Sequence, residues 1–152
     1  MEQTWVFQKA VKEDKPEIEE LFLQMLRSIY HREDVEGYEE GYLDKFFTDS
    51  GDWICVVKDA DAVVAYLSME VHREDVNYIY LDDLSVRGDY QSKGIGTRLI
   101  DTAEKYAKEI GFPAVVLHVE ASNEGAYRLY RRLGYEVKRE DGSRYLMVKE
   151  VG

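Results

Sequence analysis

The sequence predicts a single mixed α/β domain spanning residues 1–152, and three observations carry that prediction. Strand-like runs crowd residues 52–86 as an antiparallel meander, and strands alternate with helical patterns after it. A Gly-x-Gly loop marks the junction between the two halves. With 152 residues, 45% of them hydrophobic and 34% charged, the chain has the size and composition of one domain with a real core.

The elements follow in order. Residues 4–8 read as a short first strand. Asp14 and Pro16 suit a helix start, and Ile18, Leu21, Phe22, Met25, Leu26 and Ile29 follow at helical spacing. Residues 34–50 are acidic and aromatic, with Tyr38, Tyr42, Phe46 and Phe47, and read as a short second helix plus loops. Those aromatics serve either as packing or as the lining of a substrate pocket. Runs 52–58 and 62–71 are strands joined by the turn-prone Asp59-Ala60-Asp61, and 76–86 is a third. Leu99, Ile100, Ala103, Tyr106, Ala107 and Ile110 make one apolar face of a helix over 97–110, ended by Gly111 and Pro113. Residues 114–119 form a buried strand, and 123–133 a helix stopped by Gly134. Residues 135–139 and 144–148 form a hairpin around Asp141-Gly142. The total is six or seven strands and about four helices.

Composition excludes several functions. Twenty Lys and Arg stand against 31 Asp and Glu, a net charge of -11 that repels nucleic acid and anionic membranes and attracts cations. No run approaches the roughly 20 apolar residues of a membrane span, and the opening residues lack a secretory pattern, so a cytoplasmic protein is expected. The lone Cys55 lies in an apolar run and reads as a core thiol. His31, His72 and His118 show no metal-ligand spacing, so no metal is expected.

The most informative segment is Gln91-Ser92-Lys93-Gly94-Ile95-Gly96-Thr97, between an apolar strand and an amphipathic helix. Its glycines let the backbone curl with its amides outward, and the helix dipole behind them makes an anion seat, with Lys93 and Arg98 nearby. A nucleotide P-loop needs four residues between its glycines, and a dinucleotide fingerprint needs Gly or Ala where Leu99 stands.

Gln-x-x-Gly-x-Gly at this junction resembles the phosphate-binding motif of the GNAT acetyltransferases. The likeness extends back through the strand Tyr78-Ile79-Tyr80-Leu81-Asp82-Asp83-Leu84-Ser85-Val86. It runs forward to Asn123, Ala126, Tyr130, Gly134 and Tyr135, which look like the family's Asn-x-x-Ala-x-x-x-Tyr-x-x-x-Gly-Phe/Tyr signature. The resemblance implies a GNAT fold whose central sheet is splayed at an acetyl-CoA site. It implies that amides of Gln91, Ser92, Lys93, Gly94, Ile95, Gly96 and Thr97 hold the pyrophosphate. The strand segment Leu84-Ser85-Val86 would meet the pantetheine arm, through free backbone groups of Leu84 and Val86. Asn123 would contact that arm or support the splay, and a homodimer through the last hairpin is the family analogy.

Acetylating a primary amine needs a base for the ammonium and an acid for the leaving thiolate. The resemblance assigns the acid to Tyr130, at the family's tyrosine position. Asp82 and Asp83 interrupt an apolar strand, and strand alternation sends them to opposite faces, one of them costly to bury. Tyr-Leu-Asp-Asp is similar to the Tyr-Leu-Glu-Asp strand of spermidine/spermine acetyltransferases, and aminoglycoside acetyltransferases share the likeness. That assigns Asp82 as base through a water, with Asp83 attracting the ammonium. His118 lies where some protein amino-terminal acetyltransferases place a catalytic His or Glu, Tyr80 lies where family members place a catalytic Glu or Tyr, and Glu120 sits at the rim. The acceptor is therefore a small cationic amine such as a polyamine, or a peptide amino terminus or lysine. A non-catalytic acyl-CoA sensor is the reading from a different class.

Overall fold

The computed structural model describes residues 5–152. A seven-stranded mixed sheet runs β1 (Val6–Lys9), β2 (Trp53–Asp59), β3 (Ala62–Arg73), β4 (Asn77–Val86), β5 (Ala114–Glu120), β7 (Arg144–Glu150) and β6 (Glu136–Asp141) across its width. The predicted Thr4 start of the first strand lies outside the described residues. All neighbours are antiparallel except β4 and β5, which are parallel because helix α2 (Ile95–Glu109) crosses between them.

Side-chain alternation divides the core. Cys55 and Val57 of β2, Leu67 and Met69 of β3, Ile79 and Leu81 of β4, and Val115 and Leu117 of β5 meet Leu99, Ile100, Ala103 and Ala107 of α2. Ile54, Val56 and Tyr66 point the other way, onto Ile18 and Leu21 of helix α1 (Lys15–Tyr30) and onto Leu43 and Phe46. Burial raises the Cys55 thiol to about 11, in keeping with a core role. Helix α3 (Glu124–Arg132) is capped by Asn123, whose side chain accepts the Ala126 N–H at 3.3 Å.

The predicted short second helix is a six-residue 3-10 segment, Tyr42–Phe47, started by Gly41 at φ 81°. Helix α2 begins two residues before the predicted 97, because Gly94 at φ 85° turns the chain early. The last turn is Gly142-Ser143, one residue beyond the prediction, with Asp141 and Arg144 as the closing pair. Among the described residues, no helix is long and apolar enough to cross a membrane.

Candidate active site

The parallel pairing of β4 with β5 stops at Leu81 and Leu117. Both strands continue, to Val86 and Glu120, and they part beyond that point. Arg87 donates its N–H to the Val64 carbonyl of β3 at 2.8 Å. By strand alternation Ser85 also faces β3, so Leu84 and Val86 turn their backbone groups toward the gap that β5 leaves. Gln91 Nε2 reaches back to the Val86 carbonyl there at 2.9 Å. The gap opens into a cleft of about 1050 Å³.

That cleft gathers most of the sequence-predicted cofactor residues. Leu84, Ser85, Val86, Gln91, Ser92, Gly94, Ile95, Gly96, Thr97, Asn123 and Tyr130 all line it, whereas Lys93 does not. The Ser85 hydroxyl is turned away, donating to the Leu21 carbonyl at 3.1 Å. Ser92 and Gly94 both have left-handed φ, 61° and 85°. The first turn of α2 carries no acidic residue and no side-chain cap, so its amides face the cleft without a protein partner. Arg98, expected beside the anion seat, instead stacks over the Phe7 ring at 4.0 Å. Gln24, Met25, Ser28, Ile29 and His31 form the opposite wall. Their signal in the sequence was ambiguous, since Met25 and Ile29 sit on the face that α1 also uses for packing.

Across the mouth of the gap lies a charged, aromatic surface. Ser68 of β3 faces both Asp82 and Asp83, because register passes from Leu67–Leu84 to Met69–Leu81. This bulge resets the alternation, so the two aspartates share a face, contrary to the expectation of opposite faces. Tyr42 donates to Asp82, and Tyr38 donates to Asp83 at 2.7 Å. The two tyrosine rings stack with centroids 5.0 Å apart, and Phe22 stacks on Tyr38. The aromatics of residues 34–50 thus pack into the core, and two of them also hold the aspartates.

Burial raises the Asp82 carboxyl. Burial and then the Asp82 charge push Asp83 up to about 7. Burial also acts on Glu70, yet hydrogen bonds from Lys45 at 2.5 Å and His72 at 2.9 Å hold it low. His118 is the first β5 residue past the last β4 pair. Its Nδ1 meets the Tyr80 hydroxyl at 2.6 Å and its Nε2 meets Asp141 Oδ2 at 2.9 Å. Burial pushes the Tyr80 phenol to about 12. Glu120 accepts from Ser143 at 2.9 Å, at the exposed rim as expected. Tyr130 packs its edge on Tyr135, and burial lifts its phenol to about 12.

Sequence reasoning offered Tyr38 and Tyr42 as pocket lining or packing and did not single out Lys45, Ser68, Glu70 or Asp141. Tyr38 and Tyr42 carried a signal in their aromatic, acidic segment; Ser68, Glu70 and Asp141 depend on register between distant strands, and Lys45 on how the 3-10 segment Tyr42–Phe47 packs on β3.

The acetyltransferase (GNAT) family profile matches residues 17–135. An uncharacterized N-acetyltransferase of Methanocaldococcus jannaschii is 39% identical over 71 residues, covering 47% of this chain and 31% of that protein. The chain thus spans about a third of that relative's length. The PaiA N-acetyltransferase of Thermoplasma acidophilum, solved in complex with coenzyme A, superposes with a TM-score of 0.78 at 19% identity, covering 97% and 99% of the two chains. The ribosomal-protein-S18-alanine N-acetyltransferase of Escherichia coli superposes with a TM-score of 0.77 at 18% identity, covering 98% and 95%.

Proposed function

The chain belongs to the acetyltransferase (GNAT) family, and from that premise we propose that it transfers the acetyl group of acetyl-CoA to a primary amine by direct attack. The observation that carries this reading is the parting of β4 and β5 after Leu81 and Leu117, beside a cleft that Tyr130 and the glycine loop both line. The free amides at the start of α2 fit a pyrophosphate, and the outward Leu84 and Val86 backbone fits an extended amide-bearing arm. The coenzyme A in the Thermoplasma neighbour agrees with that fit.

Acetyl-CoA supplies the acetyl group as a thioester, and this chain's residues do the rest. The Gln91–Thr97 loop holds the phosphates. The N–H groups of Leu84 and Val86 that face the gap are donors for a carbonyl oxygen as it gains charge. Tyr130, neutral through the physiological range because its phenol lies at about 12, protonates the leaving thiolate. Asp82 on one strand and the Tyr80–His118 pair across both flank the mouth of the gap, and in this reading they are the groups that take the acceptor amine's proton.

The acceptor in this reading is a small cationic amine such as a polyamine. Asp82 and Asp83 share one face beside the Tyr38–Tyr42 stack and attract an alkylammonium by charge, whereas Glu70 is already paired with Lys45. The net charge of -11 steers cations inward. The Tyr80–His118 hydrogen bond favours a second reading, a peptide amino terminus or lysine as acceptor with that pair as its proton path.

A thiol-release screen over polyamines, aminoglycosides, amino acids and short peptides tests both. Release with polyamines or aminoglycosides supports the first reading, and release with peptides alone supports the second. Acetyl-CoA binding with no release across the whole panel identifies a sensor and ends the enzyme reading.

A further inference from the structure

The Tyr80–His118 contact continues outward. Asp141 lies on β6, two strands beyond β5, yet its carboxylate takes the far nitrogen of the imidazole at 2.9 Å. His118 is only 15% exposed and Asp141 28%. Arg139 grips the same carboxylate from Nε at 2.7 Å and from Nη2 at 3.1 Å. The Arg139 and His118 hydrogen bonds hold the Asp141 carboxyl down at about 2, so it is an anion at any working pH.

An anionic carboxylate only accepts, so His118 Nε2 must carry the proton, and the neutral ring then has Nδ1 bare. A bare Nδ1 at 2.6 Å takes the hydrogen bond that Tyr80 donates. The three side chains therefore run in one direction, hydroxyl to imidazole to carboxylate. This is the logic by which a carboxylate fixes a histidine's tautomer in hydrolytic triads.

We propose that Asp141 is a positioning residue for proton removal: by holding Nε2–H it leaves Nδ1 free to take the Tyr80 proton, which makes the Tyr80 oxygen the group that receives the acceptor's proton. The proposal rests on the amine-acetylation reading above. The bound ammonium gives one proton to the Tyr80 oxygen as the Tyr80 proton moves to His118 Nδ1. The neutral amine then forms its bond to the thioester carbon and the C–S bond breaks. Tyr130 protonates the thiolate, and the second amine proton, lost as the amide forms, restores the Tyr130 hydroxyl. The proton on His118 leaves to solvent, its positive charge having been met by Asp141. Other charged groups around the relay are Arg144 of β7 and Asp82 of β4, with Glu70 and His72 of β3 beyond the Tyr80 ring.

The test has two parts. Long-range ¹H–¹⁵N spectra of the wild-type protein without ligand read the His118 tautomer directly. The expected result is Nε2–H in the neutral ring, lost to a mixed tautomer in Asp141→Ala; Nδ1–H in the wild type overturns the proposal. Kinetics with the best amine from the screen then separate roles. Asp141→Ala should lower kcat tenfold or more with both KM values within about twofold, and Asp141→Glu should recover part of it. An unchanged kcat in Asp141→Ala overturns the proposal, even where His118→Ala is slow. The tautomer needs no substrate, so a failure of the enzyme reading shows in thiol release and a failure of this one in the spectrum.

Discussion

The Ser68 hydroxyl accepts the Asp83 backbone N–H at 3.0 Å, across a bulge where one β3 residue faces two of β4. A bulge leaves a ladder donor without its strand partner, and this one is part-buried. Ser68, at 1% exposure, supplies the missing acceptor and so fixes the parity that puts Asp82 and Asp83 on one face.

Ser68→Ala removes that acceptor and strands the Asp83 N–H. The cost expected for this part-buried donor lies at the low end for an unsatisfied group, about 1 kcal/mol, read as a lower denaturation midpoint with an unchanged slope. The bulge also sets the carboxylate pair, so KM for a cationic acceptor should rise severalfold while acetyl-CoA affinity stays put. A variant with lower stability but an unchanged acceptor KM would detach the bulge from substrate recognition.

The order of the elements was legible because it is written in local periodicity and in Gly and Pro punctuation. Helix α2, the glycine loop and the final hairpin each carry their own signal within a few residues. The shared face of Asp82 and Asp83 was not legible. Perfect alternation separates neighbours, and only the count of β3 residues opposite them reveals the bulge. Asp141 was hidden for a similar reason. Its contact with His118 depends on β7 inserting between β5 and β6, a topology that no run of 152 letters displays locally. Tyr38 and Tyr42 stood between: their segment was visibly aromatic, but the carboxylates they reach lie 45 and 40 residues away.

Asp83 ties stability to pH. Its carboxyl stands at about 7 in the folded protein against an ordinary 3.8, from burial first and the Asp82 charge second. The folded state therefore binds more protons than the unfolded chain between those values, and stability falls as pH rises through that window. Asp83→Asn removes the titrating charge while keeping a group that can accept from Tyr38. Thermal melts should show the variant gaining on wild type at pH 8 and matching it more closely at pH 4. A larger gain at the acid end would contradict the assignment.

Gly94→Ala tests the anion seat. Nothing lies within 4 Å of the added Cβ, so there is no clash to relieve. The cost comes from φ 85°, a left-handed conformation worth about 1–2 kcal/mol against an L side chain. Relaxing that strain turns the first amides of α2 away from the cleft. Calorimetry should show coenzyme A binding weakened about tenfold with circular dichroism unchanged, because α2 stays anchored through Leu99 and Ala103. Undiminished affinity would move the phosphate elsewhere.

Tyr130→Phe bears on the chemistry and leaves binding alone. The ring's edge contact with Tyr135 at 6.0 Å survives the loss of the hydroxyl, so fold and coenzyme A affinity should hold within about twofold. Burial sets the phenol at about 12, while an ordinary thiol lies near 8.5, so full proton transfer to the thiolate is uphill by several pH units. The hydroxyl therefore contributes mainly by hydrogen bonding to sulfur as charge develops, and the proton crosses late. That places the expected loss of kcat at the lower end of general acid effects, about a hundredfold, or about 2.7 kcal/mol. The same burial keeps Tyr130 neutral well above pH 9, so the wild-type rate should show no alkaline fall from this group below pH 10. Stopped assays of free thiol across pH 6–10 check both points, and a phenylalanine variant at full rate would remove Tyr130 from the mechanism.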